Sequence, residues 1–166
     1  MDSSQFSEWG YRIVQTLGYP GLFFVNLVSC SSIFFPLPGY ILVFIFGGIL
    51  NPFLVAIFAA LGATFGELTA YGLGRGGGYV LKQKQKKYFE MGKEWFKKGR
   101  GFLVIILFAA TPLPYDLIGI LAGIFNYHLK KFILATFLGK MIMHSVLAFG
   151  GFYGINWLLD IFKFSS

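Results

Sequence analysis

A Pro-Leu-Pro tripeptide occurs twice in the chain, each time inside a long apolar run. The copy at 36–38 interrupts residues 20–50, which carry no charge, and the copy at 112–114 interrupts residues 101–125, whose single charge is Asp116. Proline cannot donate the backbone hydrogen bond that a helix interior needs, and its ring clashes with the preceding turn. In a bilayer such breaks are tolerated only where protein or a watery cavity surrounds them. Two broken apolar segments at corresponding places in two halves of a chain predict a transport site near the membrane midplane.

The composition is that of a membrane protein. Of the 166 residues, 56% are hydrophobic and 21 are Phe, more than a soluble domain of this size can hide. The start of the chain lacks a basic segment, so we expect no signal peptide. The single Cys30 excludes an intramolecular disulfide and is interpreted as a packing residue. Because neither a Cys/His metal spacing nor a G-x-S-x-G motif is present, we expect no enzymatic activity, no metal and no cofactor.

The predicted organisation is a single membrane domain over 1–166. The pieces 22–35 and 39–50 would reach about 21 and 18 Å as helices, less than a hydrocarbon core of about 30 Å. Each Pro-broken segment is therefore either one kinked span or a re-entrant hairpin, and each precedes a full-length span, 52–73 or 129–153. Asn51-Pro52 predicts a turn and the start of the first span, and we expect Gly72–Gly78 to end it. The boundaries are an interfacial N-terminal helix at 1–21, a first repeat at 22–74, a basic segment at 75–100, a second repeat at 101–153 and a tail at 154–166.

Positive charge is concentrated between the two repeats. The segment 75–100 carries a net charge of +7 from two acids and nine basic residues, Arg75, Lys82, Lys84, Lys86, Lys87, Lys93, Lys97, Lys98 and Arg100. Flanked by apolar runs, a short basic loop is predicted to be cytoplasmic, and we expect no nucleic-acid partner. Contact with anionic lipid headgroups is a further expectation.

The tendency of basic loops to lie on the cytoplasmic side distinguishes between two topologies. Four plain spans would place Lys130 and Lys131 opposite the 75–100 segment, whereas two re-entrant hairpins and two full spans place both basic clusters on one side. We therefore predict an all-α integral membrane protein of two inverted repeats, each a Pro-broken re-entrant helical hairpin followed by a transmembrane helix. We expect it to be multi-pass in the cell (inner) membrane.

Ionisable residues inside spans are costly and usually functional. Glu67 is either an interfacial carboxylate paired with Arg75 or a buried proton or cation site. Asp116 is expected in the first turn of a helix, where the dipole favours a carboxylate, and such a place in the membrane interior is compatible with function.

Lys140 and His144 lie four residues apart and share a helix face. Lys140 could neutralise Asp116 or Glu67, or attract a phosphate, and we expect Lys140→Met to abolish transport without unfolding the protein. His144 is either a hydrogen-bonded core histidine or a proton relay. The candidate substrate or proton residues are Glu67, Asp116, Lys140, His144 and Arg75, and the expected hairpin tips contain Pro36, Pro38, Gly39, Pro112 and Pro114.

Several short motifs, in order and spacing, resemble the DedA/VTT-domain family, also called SNARE-associated Golgi proteins, and most nearly its short YqaA-like branch. They are Leu37-Pro38-Gly39, Gly66-Glu67, Tyr71-Gly72-Leu73-Gly74-Arg75, Trp95-Phe96-Lys97-Lys98-Gly99, Pro112-Leu113-Pro114-Tyr115-Asp116, Leu121-Ala122-Gly123 and Gly139-Lys140. The resemblance covers residues 22–150 and implies two opposed re-entrant hairpins with transmembrane helices.

The resemblance also implies a role in lipid handling, by a scramblase or by a proton-coupled flippase. The expected partners are membrane lipids, including anionic lipids or polyprenyl phosphate, with protons and oligomerisation left open. Tyr40 and Ile41 stand where the family commonly has an acidic residue, and Met143 stands where many members have an arginine, so passive movement and proton coupling both remain open. The alternatives are a small-solute or ion transporter and a non-transporting membrane assembly factor.

Overall fold

The computed structural model describes residues 18–31, 39–84, 86–97, 99–112 and 115–164, with the backbone alone at 78–84, 86, 88, 89, 95, 97 and 155–164. These residues form helices joined by short turns and contain no strand, which confirms the all-α prediction. The helices are α1 (18–31), α2 (Gly39–Ile49), α3 (Pro52–Gly66), α4 (Leu68–Lys84), α5 (Lys86–Lys97), α6 (Arg100–Ala109), α7 (Tyr115–Ile124) and α8 (Leu129–Phe164). Most of the expected N-terminal interfacial helix, and the tip residues Pro36, Pro38 and Pro114, lie outside the described residues.

Two helical stretches are long and apolar enough to cross a membrane. One covers Pro52–Gly77 and the other Leu129–Gly154, each 26 residues long. The shorter apolar helices α2, α6 and α7 have 11, 10 and 10 residues, which is about 15–17 Å of helix and too short to span. The second stretch contains the predicted span 129–153, and its helix continues to Phe164.

The turns that separate these helices have local causes in the sequence. Asn51 caps α3 by accepting hydrogen bonds from the backbone N–H groups of Phe53 and Leu54, at 3.0 and 3.3 Å, and Pro52 occupies the first helical position, where no N–H is needed. After α7, Asn126 has a left-handed φ of 51°. The N–H of Tyr127 then donates to the carbonyl of Ala122 at 2.8 Å, as helix ends of this type do.

The apolar stretch of the first span ends within the predicted glycine run, at Gly77, but the helix that carries it does not end there. The first long stretch is broken at Glu67, between α3 and α4, and α4 then continues through the glycines to Lys84. A glycine costs a helix only about 1 kcal/mol relative to alanine. Gly74 also lies against the backbone carbonyl of Ile120 in α7, where a Cβ would not fit, so close helix packing offsets that cost.

The long helices are each covered by short helices from both halves of the chain. Helix α1 packs against α3, α6 against α8, α2 against α8 and α7 against α4. Two apolar clusters result, one around Leu22, Val43 and Val55 and the other around Ile105 and Phe132. The middle of α8 lies between these clusters and carries the polar residues described next.

Candidate functional site

A buried ion pair joins the two long helical stretches. The Lys140 Nζ lies 2.8 Å from Glu67 Oε1, with side chains 2 and 3% exposed. Glu67 occupies the turn between α3 and α4, and Lys140 lies in the middle of α8. Charges this deeply buried are held only when they are paired. Of the partners expected for Lys140, the structure selects Glu67.

The alternative in which Glu67 pairs with Arg75 is wrong. Arg75 is exposed, and its guanidinium donates a hydrogen bond to the Tyr71 hydroxyl at 3.4 Å. Eight residues of helix separate Glu67 from Arg75 by about 12 Å, whereas α8 brings Lys140 directly against the turn that holds Glu67. Arg75 therefore lies apart from the buried ion pair.

One residue before the first Pro-Leu-Pro copy and one directly after the second also contact Lys140. The Cys30 Sγ, near the end of α1, lies 3.9 Å from Lys140 Nζ. On the other side, Lys140 Nζ lies 5.0 Å from the centre of the Tyr115 ring, a cation–π arrangement. The Tyr115 hydroxyl is hydrogen-bonded to Thr136, whose own hydroxyl donates to the Phe132 carbonyl at 2.8 Å. Segments from both halves of the chain thus meet around one ammonium group.

His144 extends this polar cluster by one helical turn. Its Nδ1 lies 2.7 Å from the Lys140 carbonyl and its Nε2 lies 3.3 Å from Asn26 Oδ1. The Asn26 amide nitrogen donates to the Leu22 carbonyl at 2.8 Å, which orients the Asn26 oxygen toward His144. A neutral imidazole can donate to only one of these two oxygens, whereas an imidazolium can donate to both. His144 is a hydrogen-bonded core residue, and a role in proton movement stays a prediction.

Asp116 lies near the cluster without joining the ion pair. It occupies the first turn of α7, as predicted, is half-buried, and interacts electrostatically with Lys140. Gly39, at the start of α2, lies against Ser29 and Asn26, so closely that a Cβ would be 3.1 Å from Ser29 Oγ. Pro112 follows α6 in an exposed turn.

Two buried polar atoms among the described side chains have no hydrogen-bond partner. They are Glu67 Oε2 and Ser29 Oγ. A buried acceptor left unpaired costs about 1–3 kcal/mol and is rare in folded proteins. The Glu67 carboxylate therefore keeps one oxygen able to accept a proton or a hydrogen-bond donor while the other binds Lys140.

A family model describing the VTT domain matches residues 37–153, which include the whole cluster except its α1 residues. The chain belongs to the VTT-domain (DedA) family. Proteins of this family are membrane proteins, in agreement with the two apolar helical stretches long enough to cross a bilayer. This VTT-domain protein is therefore a membrane protein.

Its relatives come from archaea, bacteria and vertebrates. An uncharacterised protein of Methanocaldococcus jannaschii is 30% identical over 85% of this chain and 88% of its own length. An alkaline phosphatase-like protein of Lactococcus lactis is 30% identical over 88% of this chain and 75% of its own. Human transmembrane protein 41B is 35% identical over 78% of this chain and 40% of its own. No solved structure matches the chain.

Four residues of the cluster were not predicted as site residues: Asn26, Cys30, Tyr115 and Thr136. Thr136 stands four residues before Lys140 and shares its face with Lys140 and His144, so helical spacing could have identified it. Asn26 is a lone amide in the uncharged run of the first half, which is a recognisable signal inside a membrane. Cys30 and Tyr115 carry no such signal, because their proximity to Lys140 depends on how the halves pack.

Proposed function

We propose that this VTT-domain protein moves a lipid or lipid-linked phosphate across the membrane, and that the Glu67–Lys140 pair is the polar step on its path. The observation that carries the proposal is the position of Lys140, which pairs with Glu67 while contacting Cys30 before one proline break and Tyr115 after the other. Broken apolar helices that meet at buried charges are the pattern of transport sites. The proposal assigns movement to this protein rather than bond-breaking chemistry.

The Glu67–Lys140 pair supplies the charges that a phosphate group needs near the middle of the membrane. Lys140 is a compact ammonium with three donors, so a phosphate could replace Glu67 as its partner. The unpaired Glu67 Oε2 could take up the proton that makes such an exchange electrically neutral. In this account Glu67 and Lys140 form a closed resting pair, and the lipid headgroup opens it.

We propose further that each proline break is the tip of a re-entrant hairpin. Gly62 of α3 lies against Phe23 of α1, and Gly66 lies against Leu27. From the first contact to the second, the residue number increases by four on both helices, so α1 and α3 run in the same direction. A kinked span through residues 18–50, followed by the reversal at Asn51, would make them antiparallel. A hairpin, which reverses once more, fits the parallel contacts.

The second half supports the same reading. Gly119 of α7 lies against Ala70 of α4, and Gly123 lies against the backbone of Tyr71, Gly74 and Arg75. The residue numbers again increase together on both helices, whereas an unbroken span over 101–125 would run opposite to α4. Two hairpins entering from opposite faces, each followed by a span, give the inverted repeat and a multi-pass protein of the cell membrane, with residues 75–100 on the cytoplasmic side.

The proposed topology predicts labelling from a single side. Lys93 of the basic segment lines the same cavity as His128 and Lys131, so residues of the two basic clusters lie close to one another. In a Cys30→Ser background, we expect Lys87→Cys and His128→Cys to react with a membrane-impermeant thiol reagent from the same face of sealed vesicles. Both positions are exposed. Labelling from opposite faces would instead support four plain spans.

The function is tested with a fluorescent-lipid scrambling assay on proteoliposomes, with and without a pH gradient. We expect the wild-type protein to move lipid. Movement without a gradient would support passive scrambling, and movement only with a gradient would support proton coupling through Glu67 or Asp116. No lipid movement in either condition would contradict the proposal and shift the choice to transport of a small solute or ion, or to an assembly role.

A further inference from the structure

We propose that a cavity at the basic end of the protein binds the phosphate headgroup of an anionic lipid. The cavity has a volume of about 480 Å³ and lies between α5, the start of α6 and the α7–α8 turn. Its basic and imidazole lining residues are Lys93, His128 and Lys131, and Asn126 and Tyr127 also line it. Pockets of about 300–1,000 Å³ are the usual size for small-molecule sites, so this one can hold a headgroup but not a whole lipid.

Aromatic rings close the inner wall of this headgroup cavity. Phe96 of α5 lies 5.6 Å from Phe125 and 5.7 Å from Tyr127, measured between ring centres. The Tyr71 hydroxyl donates to the Tyr127 carbonyl at 2.6 Å, which ties this wall to α4. The cavity is therefore held in shape by packed rings, and two of its lining residues, His128 and Lys131, are exposed.

The charge of the cavity suits a phosphate. Lys131 is exposed, and Lys93 is 30% exposed and pairs with Glu90 at 4.0 Å. An exposed pair at that separation contributes little to stability. The surrounding 75–100 segment, with its net charge of +7, adds attraction for anions.

The position of the headgroup cavity favours a lipid over a soluble anion. Lys131 lies in the first turn of α8, where the apolar stretch begins, and therefore at the expected membrane interface. Leu134 and Leu138 follow on the same face at spacings of three and seven residues, and both side chains are exposed, at 54 and 41%. A lipid with its phosphate at Lys131 can lay its acyl chain along these leucines.

The inference is tested on the full-length protein purified in neutral detergent. Binding of dioleoylphosphatidylglycerol is compared with that of dioleoylphosphatidylcholine and of inorganic phosphate by native mass spectrometry and by the shift in unfolding temperature. We expect selective binding of phosphatidylglycerol, weakened about fivefold by Lys131→Gln or by Lys93→Gln. Lys130→Gln is the matched control, because it removes the same charge at an exposed neighbouring position that does not line the cavity.

Each alternative outcome overturns the inference. Equal binding of phosphatidylcholine would remove the role of charge, and equal stabilisation by inorganic phosphate would indicate a small-anion site instead of a lipid site. Equal weakening by Lys130→Gln would indicate diffuse attraction to the basic surface. An unchanged unfolding temperature of the lipid-free variants shows that they fold. The inference does not rest on the proposed transport, because lipid binding and lipid movement are measured separately.

Discussion

Lys140→Met is expected to lower the free energy of unfolding by about 3–5 kcal/mol, the usual cost of removing one partner of a buried ion pair. Methionine matches the length of the lysine stem but leaves the Glu67 carboxylate buried, with one oxygen already unpaired. The unfolding temperature in detergent measures the effect. This expectation differs from the one based on sequence alone, in which Lys140→Met abolished transport without unfolding the protein.

A second variant separates the cost of the orphaned charge from the loss of packing. In Glu67→Gln/Lys140→Met both charges are removed, and replacing a whole buried ion pair with neutral groups of similar volume is often nearly neutral. We expect this double variant to recover most of the stability lost by Lys140→Met. Equal instability of the single and double variants would show that the pair contributes through shape rather than charge.

Gly62→Ala is expected to destabilise the packing of α1 on α3 by about 1–3 kcal/mol or more. The added Cβ would collide with the backbone carbonyl of Phe23, and its next neighbours, the carbonyl carbon and Cα, would be 2.8 and 3.0 Å away. Backbone atoms cannot move aside as a flexible side chain can, so the helices must separate. Thermal unfolding in detergent measures the loss.

Gly72→Ala is the matched control on the same apolar stretch. A Cβ at Gly72 meets no atom within 4 Å, and alanine favours a helix over glycine by about 1 kcal/mol. We therefore expect Gly72→Ala to be neutral or slightly stabilising. A loss as large as that of Gly62→Ala would show that the cost of Gly62→Ala does not come from its contact with α1.

The features of the fold that arise from residues close together in the chain could be predicted from the sequence. Asn51-Pro52 predicted the start of α3, and apolar length predicted the second span. Asp116 was expected in a first turn because it follows a proline break. Each of these follows from local hydrogen bonding or from the thickness of a bilayer, and the structure agrees with them.

Features that depend on distant contacts could not be read from the sequence. Lys140 had three possible partners, and only the approach of α8 to the turn at Glu67 selects one. The glycine run 72–78 resembles a helix end, yet α4 passes through it because Gly74 packs on Ile120 of α7. The cavity of Lys93 and Lys131 joins residues of the basic segment to residues of the second repeat that are about 30 positions away in the sequence, so no local pattern predicts it.

The most direct test of the central claim is the lipid-scrambling rate of Glu67→Gln/Lys140→Met in proteoliposomes, compared with the wild type at equal amounts of folded protein. Because both charges are removed together, we expect this variant to stay folded. Its scrambling rate therefore measures what the two charges contribute to lipid movement. We predict at least a tenfold loss, equivalent to about 1.4 kcal/mol. Scrambling at the wild-type rate by the stable double variant would contradict a transport role for the buried pair.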